Sequence, residues 1–221
     1  MPDLGFQVKY ADPVPFAAAP EIVFTLSAHN EPPHESIHNV QLMAQIRIET
    51  NRRSYDPHEK DRLTGLFGEP HRWSQTLRPM LWAHASAVVP PFSGDTTFEL
   101  HVPCTFDFSI AATQYFDALS QGEIPLLFLF SGTIFYADDS GLLQVSRISW
   151  SKDANFRLPV ETWRGLMDAY YPNSAWLNLR KDIFDRLRKY RSQNGLASWE
   201  QAFEKLLVDA GAPPNRETLV Q

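Results

Sequence analysis

The chain has 221 residues, of which 43% are hydrophobic and 13% aromatic, so it carries enough apolar side chain for a sizeable core and too much for a disordered segment. A formal net charge of −6 sets it against whole-surface attraction to nucleic acid or to an anionic membrane. The single cysteine, Cys104, closes no intramolecular disulfide, and the first ten residues lack the basic start and apolar stretch of a secretory signal, which points to a cytoplasmic setting.

Residues 1–20 hold four prolines and a run of three alanines, and read as an extended arm. Glu21 to His29 alternates Ile22, Phe24, Leu26 and Ala28 against Val23, Thr25 and Ser27, a first strand. Ile37 to Glu49 alternates more cleanly, with Val40, Leu42, Ala44, Ile46 and Ile48 on one face, the pattern of a half-exposed antiparallel strand. Asp56-Pro57-His58-Glu59 starts a short helix: Asp56 caps, Pro57 suits the first position, Glu59 reaches back, and Gly68 stops it. Met80 to Val89 fits either strand or helix; the alternating run Thr97 to Pro103 that follows favours a strand with Trp82, His84, Ser86 and Val88 on one face.

Phe106 to Leu119 begins with the alternation Phe106, Phe108, Ile110 and Ala112 and reads as a strand. Ile124 to Tyr136 opens on an uninterrupted apolar run and predicts the central strand, buried on both faces. That run is too short for a bilayer span. Leu142 to Trp150 completes the strands. After Pro159 the spacing turns helical, with Trp163, Leu166, Met167 and Tyr170 on one helix. A second, from Ala175 to about Gln193, aligns Trp176, Leu179, Ile183, Phe184, Leu187 and Tyr190, and a third starts at the Ser198–Gln201 cap. The expected architecture is α+β: a mainly antiparallel, sandwich-like domain over 21–155 with one inserted short helix, then three helices over 156–210 packed on the sheet, and a frayed tail over 211–221.

Three groups of residues invite a functional reading. His101 and Cys104 have metal-site separation, but a closed zinc site needs four ligands and nothing repeats the spacing, so no metal or other cofactor is expected. Cys104, His84 and Asp107 form a nucleophilic triad only if the fold brings them together. His71, Arg72, Trp73, Trp82 and His84 suit a small-molecule pocket, or the tie between helix and strand. The helix from Ala175 carries Arg180, Lys181, Arg186, Arg188, Lys189 and Arg191 against Asp182 and Asp185, which suits an acidic partner or phosphate, although a solvated face is the commoner explanation of such a pattern. No glycine-rich phosphate loop occurs.

The segments LFGEPHRW, TLRPMLWAH, VPCTFDF and PLLFLFSGTIF, followed by SWEQAFEKLL, resemble a bacterial family of unknown function whose genes accompany uptake nickel–iron hydrogenase clusters. The likeness covers about Glu21 to Val208 and brings no catalytic residues. It implies an accessory or assembly role beside hydrogenase subunits or their maturation proteins. With no paired acid and base or nucleotide signature in the chain, the expectation is a non-enzymatic factor that binds another protein.

Overall fold

The computed structural model describes residues 1–107, 109–138, 140–175 and 177–212, and divides into two units, Met1–Ser174 and Ala175 onward. The fold is α+β, with two antiparallel sheets and six α-helices among the described residues.

In the first unit, strands β1 (Asp3–Pro13), β2 (Glu21–Glu31) and β5 (Asp95–Pro103) form one sheet in the order β1-β2-β5. The other sheet has the order β4-β3-β6 and contains β3 (Ile37–Ile48), β4 (Met80–Val89) and β6 (Glu123–Ala137). Beyond β6 lie β7 (Leu143–Arg147), against its C-terminal part, and β8 (Asp153–Pro159), against its N-terminal part. The alternation of β2 and β3 survives intact: Ile22, Phe24, Leu26 and Ala28 face Val40, Leu42, Ala44, Ile46 and Ile48 across a dry interior. Phe24 sits at its centre, its ring 6.0 Å from Trp82, 5.1 Å from Phe128 and 5.8 Å from Phe156, all at the edge-to-face angles aromatic rings prefer.

β6 is the middle of its sheet, as the sequence suggests, but it is not covered equally on both faces. Ile124, Leu126, Phe128 and Phe130 are buried inward, whereas Leu127 and Leu129, on the outer face, are half-buried. Midway along it Gly132 (φ 144°) lies so close to β3 that a Cβ there would meet the Gln41 carbonyl oxygen at 2.1 Å.

Other expectations are revised. The first twenty residues are not a bare arm: Asp3–Pro13 pairs antiparallel with β2, burying Leu4 and Val8. Phe106 to Leu119 is not a strand; Ile110–Ala118 is helix α3, because Ala112, Tyr115, Phe116 and Leu119 recur at helical spacing and all are buried. Phe108, part of the misleading alternation, lies outside the described residues. Leu142 to Trp150 is β7 alone, and β8 runs across the 155/156 boundary that composition suggests. The inserted helix α1 (Pro57–Phe67) is therefore joined by α3 and by a four-residue turn of helix, α2 (Trp73–Thr76). Finally, a register shift between Ile46 and Arg47 places a bulge at Trp82 on β4, so Trp82 and Ala83 are both buried while His84 points outward.

Helix α4 (Val160–Tyr170) belongs to the first unit and buries Trp163, whose ring lies 4.5 Å from Phe116 of α3. The second unit contains α5 (Lys181–Gln193) and α6 (Trp199–Asp209), paired through Phe184 and Trp199 with ring centroids 5.2 Å apart. Ala202 is its one buried residue among those described. The expected start of this helix at Ala175 moves to Lys181; Trp176 and residues 213–221 of the tail lie outside the described residues. Among the described residues no helix is long and apolar enough to cross a membrane, which says nothing of strands.

Candidate functional site

A buried polar cluster of the first unit forms where the chain leaves β3 and enters α1. Asp56 caps α1 through its Oδ1, which accepts from the Glu59 backbone N–H at 2.8 Å, and Glu59 Oε2 accepts from the Asp56 N–H at 3.2 Å. This reciprocal cap uses one oxygen of Glu59 and leaves the other free. Glu59 Oε1 takes the Arg53 guanidinium at 2.5 Å and the Ser120 N–H at 2.8 Å. Arg53 also donates to the carbonyls of Gln121 (2.7 Å) and Glu123 (2.9 Å), so one side chain ties the β3–α1 connection to the end of α3 and the start of β6. Its side chain is only 8% exposed, and among the described residues its Nε has no partner.

Beside this pair, the Tyr55 hydroxyl donates to the Thr50 carbonyl at 2.6 Å and meets the Tyr115 hydroxyl at 2.9 Å. Burial pushes Tyr55 up to about 12, a rise that the Tyr115 hydrogen bond and the charge of Arg53 partly offset. Tyr115 is pushed up further, again chiefly by burial. Both phenols are therefore neutral near pH 7 and act as hydrogen-bonding groups, not as bases. Above them opens a cleft of about 740 Å³, with Arg53, Tyr55 and Glu59 in its wall and Arg52 and Arg157 at its rim.

The family model described as "Family of unknown function (DUF6084)" matches residues 1–215. The chain belongs to this family. No curated protein matches it. Among solved structures, the CARDB domain of the PF1109 protein from Pyrococcus furiosus, in complex with di-metal ions, is similar at 9% identity and TM-score 0.28, covering 72% of this chain and 92% of that one. A putative late embryogenesis abundant protein matches at 16% identity and TM-score 0.31, covering 72% of each chain. The putative ApaA protein from Bordetella pertussis matches at 15% and 0.27, covering 71% of this chain and 93% of that one. Likenesses this distant transfer neither ligand nor role.

The DUF6084 fold disperses the candidate triad. Cys104 is buried at the end of β5, where its thiol donates to the Val102 carbonyl at 3.3 Å; His84 is exposed on β4 of the other sheet, and Asp107 is exposed in a turn. Burial pushes the Cys104 thiol up to about 12, the reverse of what a nucleophile needs. His101 is exposed and pairs with Glu21 at 2.9 Å, on the opposite face of β5 from the inward Cys104 side. Among the described residues no group of three or more His, Cys, Asp or Glu side chains has the placement to hold a metal.

The five residues expected around a pocket are also divided. Trp73 is buried, donating from Nε1 to the Gly68 carbonyl at 2.8 Å and packing edge-on against Tyr55 and Phe67. Trp82 packs into the sandwich interior, 5.1 Å from Phe116, while His71, Arg72 and His84 are exposed. The two tryptophans serve the core, whereas the two histidines face solvent.

In the second unit the basic residues of this DUF6084 chain are unequal. Arg180 pairs with Asp182 at 2.7 Å, and Lys181 and Arg188 share Asp185 at 3.1 and 3.3 Å. The Arg191 guanidinium stacks 4.5 Å from the Trp199 ring centroid. Arg186 and Lys189 are exposed and, among the described residues, take no ion pair.

Sequence reasoning missed Arg53, Tyr55 and Tyr115 as a site. One signal was available: Glu59 stands four residues before the buried Leu63, on the apolar stripe of α1, where a carboxylate needs a partner.

Proposed function

We propose that this chain works by binding another protein, as a non-enzymatic accessory or assembly factor in a bacterial cytoplasm. The observation that carries the reading is the outward face of α5, where Arg186 and Lys189, three positions apart, are exposed cations without an ion pair among the described residues, while Phe184 on the opposite side of the helix packs with Trp199. Two neighbouring cations free of ion pairs suit an acidic protein surface, steering and orienting it by charge. The groups that ordinarily carry chemistry favour the same reading, since Cys104, Tyr55 and Tyr115 are buried and neutral. The resemblance to hydrogenase-linked proteins makes hydrogenase subunits or their maturation proteins the first partners to test.

Affinity capture from the native cell, followed by reconstitution with the purified partner, tests the proposal. The association should weaken as salt rises and be lost in R186E/K189E at unchanged melting temperature. Lys181 and Arg188, held by Asp185, should matter less. A partner bound equally well by wild type and variant, at low and high salt, would remove α5 from the reading.

A further inference from the structure

We propose that the cleft beside Arg53 is a binding site for an organic anion carrying a carboxylate or a phosphate group, separate from any protein-binding surface on α5. The inference rests on which of the cleft's charged groups are already committed. Its wall and rim hold three guanidiniums, from Arg52, Arg53 and Arg157, and three carboxylates, from Asp56, Glu59 and Glu123. The formal charge is balanced, but the hydrogen-bonding capacity is not.

Asp56 and Glu59 are engaged with each other's backbone N–H groups, and Glu59 additionally with Arg53 and the Ser120 N–H. The donors are less fully engaged. Arg52 donates to Asn155 Oδ1 at 3.0 Å and otherwise lies 3.6 Å from Glu49; Arg157 approaches Glu123 at only 3.7 Å. Both side chains are more than half exposed, so their heads can turn into the cleft without breaking a buried bond. Each guanidinium offers several N–H donors in a fork that matches the oxygen pair of a carboxylate or phosphate. Behind them the buried Arg53 is paired with Glu59, and its Nε alone has no partner among the described residues.

A cation entering the same space would find two of three carboxylates engaged. It would also have to displace Arg157 from Glu123. An anion finds two mobile guanidiniums whose donors are not fully engaged. Size narrows the class: about 740 Å³ is the volume of a small-molecule site rather than of a bare inorganic ion. Gly122, in the wall at φ 82°, brings backbone without a side chain to within reach of Arg53, since even an added Cβ there would lie 3.8 Å from Arg53 Nη1.

The test is titration calorimetry on the full chain at constant ionic strength, with succinate, glycerol 3-phosphate, inorganic phosphate and, as the cationic control, ethanolamine. Saturable binding of succinate or glycerol 3-phosphate is expected, and whichever binds more tightly identifies the headgroup. R52A/R157A should weaken it by roughly tenfold or more, in line with loss of charge-assisted hydrogen bonds, while its melting temperature stays near that of the wild type because both side chains are at the surface. No saturable binding of any anion overturns the proposal, as does binding that R52A/R157A leaves unchanged or a preference for ethanolamine. R186E/K189E serves as the separate control: it should bind the anion like wild type even if it loses a protein partner.

Discussion

Arg53 and Glu59, six residues apart in the chain, form an ion pair sealed from water, with side chains 8% and 2% exposed. Their pairing is stable because neither charge relies on the other alone: Glu59 also accepts from two backbone N–H groups, and Arg53 donates to two carbonyls. A buried pair without such additional bonds would scarcely offset its desolvation.

Removing one member should therefore cost much more than removing both. E59A strands the Arg53 charge and should lower unfolding free energy by about 3–5 kcal/mol, whereas R53M/E59L should cost well under the sum of the single changes. Urea denaturation of the four proteins in a double-mutant cycle measures this. An E59A loss below about 1 kcal/mol, the range of an exposed pair, would show that the pair is effectively solvated.

Gly132 supplies a second test. Its φ of 144° and the 2.1 Å distance from an added Cβ to the Gln41 carbonyl mean that G132A forces either β3 or β6 to move. The expected loss is about 3 kcal/mol or more. G165A is the contrast: Gly165 lies within α4, nothing stands within 4 Å of the added Cβ, and the change should stabilise by roughly 0.5–1 kcal/mol. Equal melting temperatures for the two variants would contradict the close-approach argument.

Where side-chain period alone sets the structure, the sequence was legible. β2 and β3 each keep a single buried face, and the Asp56–Glu59 cap of α1 is present with both reciprocal bonds. What escaped was decided by neighbours. β1 pairs along β2, although its own residues alternate poorly; the α3 segment opens on a chance strand-like alternation; and the bulge at Trp82 shifts β4 by one residue. That one-residue shift undid the expected pocket, because faces beyond a bulge exchange. The Arg53 cluster was illegible for a different reason: its partners Ser120, Gln121 and Glu123 are about 70 positions away and contribute mainly backbone groups, which carry no residue signature.

Asp138 organises the turn between β6 and β7. Its Oδ1 accepts from the Ser140 hydroxyl at 2.6 Å and from the N–H groups of Ser140 and Leu142 at 3.0 and 2.9 Å; Oδ2 accepts from Gln144 at 2.9 Å. These bonds, led by the Ser140 hydroxyl, hold its carboxyl down at about 2. The stabilisation is present above the ordinary carboxyl value of 3.8 and is lost as pH falls towards 2. D138A should speed amide hydrogen exchange at Ser140 and Leu142 while leaving global stability almost unchanged. Undiminished protection at both amides would show that the turn holds without the carboxylate.

The alkaline limb of stability should report the buried acids. Burial raises Cys104 from an ordinary 9.0 to about 12 and Tyr55 from 10.0 to about 12, and pushes Tyr115 upward as well. Each group holds its proton more tightly in the folded chain, so its stabilising contribution is complete below the unfolded value and declines as pH rises towards the folded one. Unfolding free energy should thus show no loss from these groups up to about pH 9 and then fall between about 9 and 12, by up to roughly 1.4 kcal/mol per pH unit for each participating group. In C104A the fall should begin about one pH unit later, because the remaining tyrosines ionise in the unfolded chain nearer 10. The same burial predicts that iodoacetamide at about pH 8 labels Cys104 slowly in the native protein and rapidly in denaturant. A denaturation midpoint constant to pH 12, or native labelling at the denatured rate, would mean that the Cys104 site opens to water far more readily than its packing between Val102 and Pro20 implies.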